Sequence, residues 1–322
     1  MIRLTPQKAP LCIIVFTILI LHSYVATGQQ SPFYPVSYRI FNPFVFNPAV
    51  AGSKDYSSYD IILSNRGSEN SLMGSFNTRL SKVTDNYVSS LPAPEFTNIG
   101  VGGFIFREQI GNARNTGFGA SASYHLATDR DAKSFFSAGA TVKAIYHDFA
   151  GDTELSIPEF NTFRPTADAG IYYYSPGFYT GVSVTNLFFV TDVADTLGLY
   201  ITPITPMLFF HAGYKFIISD LDNMIIEPII ILEYPCKEPA KFEEIIKPGF
   251  RFYSGALSAG TFLNDLKRLS FFMQFKYKKT SLGAYFELPY NTAYYKEPMI
   301  AEISLGINLS AIKSGYQKNN HW

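Results

Sequence analysis

The residues able to do acid–base or nucleophilic chemistry are few and scattered. The five histidines are His22, His125, His147, His211 and His321. A catalytic histidine needs a nucleophile or carboxylate beside it, and a metal-binding one needs companions at ligand spacing. No Gly-x-Ser-x-Gly elbow, His-Glu-x-x-His pair or phosphate-binding loop occurs. A serine hydrolase is left only if neighbouring strands bring a Ser and a His together in space. His125, His147 and His211 fall on polar strand faces and read as solvated wall residues. Arg39, Arg66, Arg79 and Arg107 come early, near strand ends or turns. They read as a solvated rim, or as partners for acidic groups in a lumen or on a bound protein. Lys276, Lys278 and Lys279 flank a predicted turn and face water. The expectation is a protein that is no enzyme, with no cofactor and no metal.

Those side chains sit in a chain built for export. Arg3 and Lys8 precede an apolar run from Leu11 to Val25, and Ala26-Thr27-Gly28 offers small residues at a peptidase spacing. The run is shorter than the ~20 residues of a spanning helix, so residues 1–28 read as a secretory signal peptide cut before Gln29. Cys12 leaves with it and is misplaced for lipidation, so Cys236 stands alone. An internal disulfide, or a zinc site using two cysteines of one chain, is thereby excluded. Losing Arg3 and Lys8 from a balanced 26 basic and 26 acidic residues leaves a slight acidic excess, which gives nucleic acid no footing. The chain carries 22 Tyr and 29 Phe but only 16% charged residues, with no second long apolar run. An exported chain of that kind is a large β-sandwich or a membrane β-barrel.

Periodicity of two runs almost throughout. Phe118, Ala120, Ala122, Tyr124 and Leu126 alternate with Gly119, Ser121, Ser123 and His125. Ile303, Leu305, Ile307 and Leu309 alternate with Glu302, Ser304, Gly306 and Asn308. Each such stretch is a strand with one apolar and one polar face. About fourteen are predicted, over 58–67, 71–80, 97–107, 117–127, 134–148, 166–174, 178–186, 207–218, 224–234, 246–254, 256–263, 268–278, 281–288 and 299–310. Several approach the ~9–11 residues that a tilted strand needs to cross a bilayer. From the fourth strand on, short turns (Ser175-Pro176-Gly177, Lys279-Thr280) alternate with long loops (149–165, 187–206). Outer-membrane barrels segregate loops this way. The connections 81–96 and 264–267 break the rule. Aromatic residues gather near strand ends, at Tyr172 to Tyr174, Phe178-Tyr179, Phe209-Phe210, Phe271-Phe272 and Tyr294-Tyr295, as interfacial girdles do. The fold class is therefore all-β, an antiparallel transmembrane β-barrel. Its domains are the signal peptide (1–28), an N-terminal segment (29–57), the barrel (58–310) and a C-terminal tail (311–322).

The N-terminal segment is the unusual part. It contains Phe41-Asn42-Pro43 and Phe46-Asn47-Pro48, a near-repeat. Proline lacks a donor and Asn-Pro favours turns, so the segment is compact and turn-rich, placed to plug or brace one end of the barrel. The run FNPFVFNPAVAGS resembles the N-terminal signature of the PorP/SprF family of type IX secretion-system membrane proteins. A second block, REQIGNARNTG from Arg107 to Gly117, resembles the family's turn between the third and fourth strands. The similarity covers essentially the whole mature chain. It departs at Ser64-Asn65-Arg66-Gly67, where relatives have an Arg-Asn-Gln-Trp-like run, and after the last strand, where Ser310 to Trp322 replaces a terminal aromatic.

The resemblance implies an outer-membrane barrel of a Gram-negative cell. It implies a role in secretion or cell-surface attachment of a partner such as an adhesin with a C-terminal secretion domain. Partners would also include other secretion components, periplasmic ones among them, with links to gliding motility. The motif residues are Asn42, Pro43, Asn47, Pro48, Ala49 and Gly52 for bracing, and Gly111, Arg114, Asn115, Thr116 and Gly117 for the turn. The alternative is a transporter for hydrophobic or small solutes, like fatty-acid channels with an N-terminal hatch, which would conduct or bind ligand once its plug shifts.

Overall fold

The computed structural model describes residues 37–309, apart from 55, 68, 82–95, 129–133, 151–158, 189–205, 220–223, 237–239, 265 and 290–298. The signal peptide, the C-terminal tail and Tyr294-Tyr295 lie outside the described residues.

All fourteen predicted strands are present. β1 (Ser57–Arg66), β2 (Glu69–Ser81), β3 (Phe96–Ile110), β4 (Ala113–Ala127), β5 (Phe135–Phe149), β6 (Phe160–Tyr174) and β7 (Phe178–Thr185) form the first half. Next come β8 (Met207–Tyr214), β9 (Phe216–Ser219), β10 (Met224–Pro235), β11 (Ile246–Ser254), β12 (Leu257–Asn264), β13 (Arg268–Tyr277), β14 (Thr280–Pro289) and β15 (Ile300–Leu309). β8 and β9 both lie beside β10 and are halves of one strand broken at Lys215, so the ring has fourteen staves. All pairs are antiparallel, and β1 against β15 closes the ring. No helix among the described residues is long and apolar enough to cross a membrane; the crossing is made by strands.

The register fixes the dimensions. Following partners from Tyr59 through Phe76, Gly103, Ala120, Val142 and Ala167 and on round the ring returns to β1 displaced by about 14 residues. With strands ~4.8 Å apart and a ~3.3 Å rise, that stagger gives a tilt of roughly 35° and a backbone radius of roughly 13 Å.

The side-chain alternation is inside out relative to a soluble protein. On β4, Phe118, Tyr124 and Leu126 are 50–58% exposed, while Ser121, Ser123 and His125 are at most 5% exposed. The same outward apolar row continues through Ile61, Leu63, Phe271, Met273, Phe275, Ile303 and Leu305. An exposed apolar belt on a closed ring is the surface that faces lipid.

Two boundaries differ from the sequence reading. The block Arg107 to Gly117 is not mainly a turn. The β3–β4 hairpin closes in two residues, Gly111 and Asn112, with Gly111 at φ +53°, and Arg114, Asn115 and Gly117 are strand residues. A left-handed glycine allows so tight a closure that both strands extend further. β6 likewise begins at Phe160, before the expected 166, and runs through Pro165. β3, β4, β5 and β6 each have 15 residues, against 8 in β7. At ~35° tilt such a strand climbs about 40 Å, well beyond a ~25 Å apolar belt. The β6–β7 turn is only Ser175 to Gly177, which keeps their short-turn ends level. The excess therefore stands as a raised wall at the end that carries the longer loops.

One buried polar contact ties β5 to β6 below this wall. Lys143 Nζ on β5 lies 2.7 Å from Asp168 Oδ1 on β6 and 2.8 Å from Asn186 Oδ1, with both charged side chains fully buried. Removing one member of a buried pair strands the other's charge. Lys143→Met is expected to cost about 3–5 kcal/mol in urea unfolding followed by gel mobility, and Lys143→Met/Asp168→Asn to recover most of it. An unchanged midpoint for the single variant would mean that the pair is hydrated.

Candidate functional site

A ring of this radius is too wide for its own wall side chains to fill. Residues 37–53 occupy it. Tyr38 to Phe41 form one helical turn, and Pro43–Val45 and Pro48–Val50 form two 3-10 turns. Each proline opens its turn, where its missing N–H is not needed, and holds the preceding asparagine out of the helical region. The near-repeat is thus one of backbone turns, while the two asparagines bond differently. Asn47 Oδ1 accepts from Ala49 N at 3.0 Å, and its Nδ2 donates to the Ile171 carbonyl at 3.0 Å. Asn42 caps nothing; its Nδ2 reaches Asp60 Oδ2 at 2.9 Å and Ser75 Oγ at 2.8 Å.

The wall meets backbone groups of the plug at six residues between Ser37 and Gly52. Ser37 N donates to Glu302 Oε2, and the Tyr38 hydroxyl donates to the Met73 carbonyl. Arg251 Nη2 donates to the Ile40 carbonyl at 2.9 Å, and Ser183 Oγ to that of Phe46 at 2.6 Å. Ser137 Oγ donates to the Ala49 carbonyl at 2.7 Å, and Gly52 N donates to Asn77 Oδ1 at 2.6 Å. The Ala51 carbonyl accepts from Ser123 Oγ at 2.6 Å and from His125 Nε2 at 2.8 Å. Because a carbonyl only accepts, that contact places the His125 proton on Nε2, and Nδ1 accepts from the Tyr174 hydroxyl at 3.0 Å. Unmet polar groups in such a dry interior are costly, so these partners hold the plug in one position.

Charge and packing complete the seat. Arg39 makes an ion pair with Glu233, which Lys247 also approaches at 3.5 Å. Phe46 stacks on Phe209, with centroids 5.3 Å apart, and Phe41 and Phe44 meet Phe272 and Phe104 edge-on. Each fully buried ring contributes roughly 1.5–3 kcal/mol. Wall glycines allow the close approach: a Cβ on Gly100 would lie 2.2 Å from the Ala51 oxygen, and one on Gly139 2.6 Å from Pro48 C.

The motif residues therefore divide in two. Asn42, Pro43, Asn47, Pro48, Ala49 and Gly52 lie together in the lumen; Gly52 needs its φ of +70° and packs on Gly100. Gly111, Arg114, Asn115, Thr116 and Gly117 lie instead on the raised β3–β4 hairpin. There Arg114 faces outward 3.9 Å from Asp148, and Asn115 faces inward, bonding Glu108 and His147.

The histidines need correction. His125 and His211 are not solvated wall residues; they are 0% and 4% exposed. The plug displaces the water that an open lumen would supply. His211 stacks on Tyr172, with centroids 5.2 Å apart, and lies against Tyr179 and Phe209. Arg79 is likewise buried, its guanidinium 4.6 Å over Phe135. Sequence reasoning missed Glu227, Glu233, Lys247 and Arg251 as seat residues. Their signal was paired charges at inward positions of largely apolar strands, two on β10 and two on β11. Among the described residues no cluster of His, Cys, Asp and Glu is arranged to hold a metal.

A closed barrel with an apolar outer belt and a lumen filled by its own N-terminal segment defines a plugged outer-membrane barrel. The family described as type IX secretion system membrane protein PorP/SprF matches residues 26–307, and the chain belongs to it. Its place is the outer membrane. Solved structures it is similar to include the KdgM porin, at 8% identity over 78% of this chain and 98% of that one, TM-score 0.36. Others are CdiB from Acinetobacter baumannii (7%, 79% and 60%, 0.41) and the β domain of the Bordetella autotransporter BrkA (10%, 79% and 98%, 0.31). These scores are low, and the barrel assignment rests on the closed register. No curated protein matched the chain.

Gly139→Val puts a branched side chain where Pro48 and Ala49 pass. It is expected to raise proteolysis within residues 37–53 roughly tenfold or more in detergent, with the barrel still resistant. Cleavage at the wild-type rate would show that the plug does not depend on this contact.

Proposed function

We propose that this barrel is an anchor and holder for a secreted protein, supporting its export or its attachment at the cell surface. The observation that carries the reading is the seated plug. The lumen is occupied by a segment bonded to the wall on every side, which suits a rigid scaffold and leaves no open conduit at that level. Asn42, Pro43, Asn47, Pro48, Ala49 and Gly52 brace the ring from within. Gly111, Arg114, Asn115 and Gly117 shape the raised hairpin on the side of the partner. The partner is a protein with a C-terminal secretion domain, an adhesin being the natural kind, and gliding is one process such an anchor would serve. Other secretion components, periplasmic ones included, meet the short-turn end. The role is structural, since the buried histidines are engaged in packing and plug binding. Membership of a secretion-system family supports the partner class.

The solute-transporter alternative gains no observation of its own, because a hatch must leave and this one is bonded from Ser37 to Gly52. The test is affinity purification of tagged protein from gently solubilised outer membranes, with mass spectrometry of what accompanies it. A stoichiometric secreted protein carrying a C-terminal secretion domain is expected. Recovery of the barrel alone under several detergents would contradict the proposal.

A further inference from the structure

The outward face of β1 and β2 changes character just below their hairpin tip. Descending from Gly67, the outward cross-strand pairs are Asn65 with Asn70, Leu63 with Leu72, Ile61 with Gly74 and Tyr59 with Phe76. Asn65 Nδ2 donates to Asn70 Oδ1 at 2.8 Å, so two amides close the top of this column. The tip lies at the end of the ring that carries the long loops. The switch from amide to aliphatic therefore marks the outer edge of the apolar belt. A groove of about 510 Å³ is cut into the wall at this level. Its depth comes from Ala301, whose methyl group stands between its register partners Phe286 on β14 and Asn65 on β1. Leu63, Leu72, Phe286 and Ile303 form the apolar part, and each is 44–58% exposed. Arg107 and Gln109 of β3 complete the rim with Asn70, all three exposed. Arg107 lies opposite Leu72 on one side and Thr116 on the other, so the cation adjoins the aliphatic floor.

We propose that this groove binds a phosphorylated glycolipid of the outer leaflet, with an acyl chain along Leu63, Leu72 and Ile303 and a phosphate on Arg107. The inference is independent of the holder reading. The volume falls within the ~300–1,000 Å³ of small-ligand sites. The apolar part faces outward into the belt, so its occupant is a molecule already in the bilayer, and a water-borne protein segment does not reach it. Lipid tails alone would leave the Arg107 guanidinium against hydrocarbon, which is costly. A lipid with an anionic head meets both halves of the groove at once. Arginine takes two phosphate oxygens through parallel N–H donors, and the Asn70 and Gln109 amides suit sugar hydroxyls beside that phosphate. Arg114 supplies a matched comparison. It faces outward one strand further on, opposite Gln109, outside the groove and 3.9 Å from Asp148.

The experiment titrates full-length, delipidated protein in detergent with phosphorylated lipid A, and native mass spectrometry reads the fraction of barrel carrying one lipid. Wild type is expected to bind it about tenfold more tightly than phosphate-free lipid A or phosphatidylglycerol. Arg107→Gln is expected to lower the affinity about tenfold and to abolish the preference for phosphate, whereas Arg114→Gln stays within about twofold. Ala301→Phe fills the groove and leaves Arg107 in place. It is expected to weaken binding of lipid A and of its phosphate-free form alike, by about tenfold. All three positions face outward, and the gel mobility of the unheated barrel checks that each variant is folded. Equal losses in Arg107→Gln and Arg114→Gln would overturn the proposal, since they would mean a general response to charge. Wild-type affinity in Ala301→Phe, equal binding of phosphatidylglycerol, or displacement of the lipid by inorganic phosphate would overturn it as well.

Discussion

Everything in this molecule follows from the void that a fourteen-stranded ring leaves. The stagger of the register sets the radius, and the radius sets a lumen that wall side chains do not span. Water is one filling and chain is another. Here the filling is chain, Ser37 to Ser53, and the wall is adapted to it. Glycines stand where the plug backbone passes, hydroxyls stand where its carbonyls end, and Arg251 reaches Ile40 across the space. A lumen built for water would need none of these matches.

The filling changes the physics of the inner face. Positions that would be solvated in an open pore are dry, so each polar group there needs a protein partner. Glu227 takes the Tyr253 hydroxyl at 2.5 Å, Glu287 takes Arg268, and Lys143 takes Asp168. Such networks add little net stability against apolar replacements, and breaking one is costly. Their effect is to fix one arrangement of wall and plug. That is what a protein needs in order to present a constant outer surface to a partner.

The strands were legible in sequence because alternation follows directly from the pleat. The plug was legible as a segment, through its two Asn-Pro steps, and as the filling of one end: it seats near the short-turn ends of the strands, against His125, Ser137, Ile171, Asp60 and Arg251. What local pattern did not reveal depends on which strands meet. Lys143 and Asp168 are far apart in sequence and join through the β5–β6 register. His125 and His211 looked wet because the plug's depth is not written in β4 or β8. The hairpin tip at Gly111-Asn112 was misread as a broader turn because Arg114, Asn115 and Thr116 are polar; above the belt, outward polar residues are what a strand in water carries.

The central claim is that residues 37–53 fill the lumen where they are seated. Single-channel conductance in planar bilayers tests it directly, comparing the full-length protein with a variant lacking residues 37–53. The account predicts a silent wild type and discrete openings once the plug is removed. Steady conductance through the intact protein would contradict it.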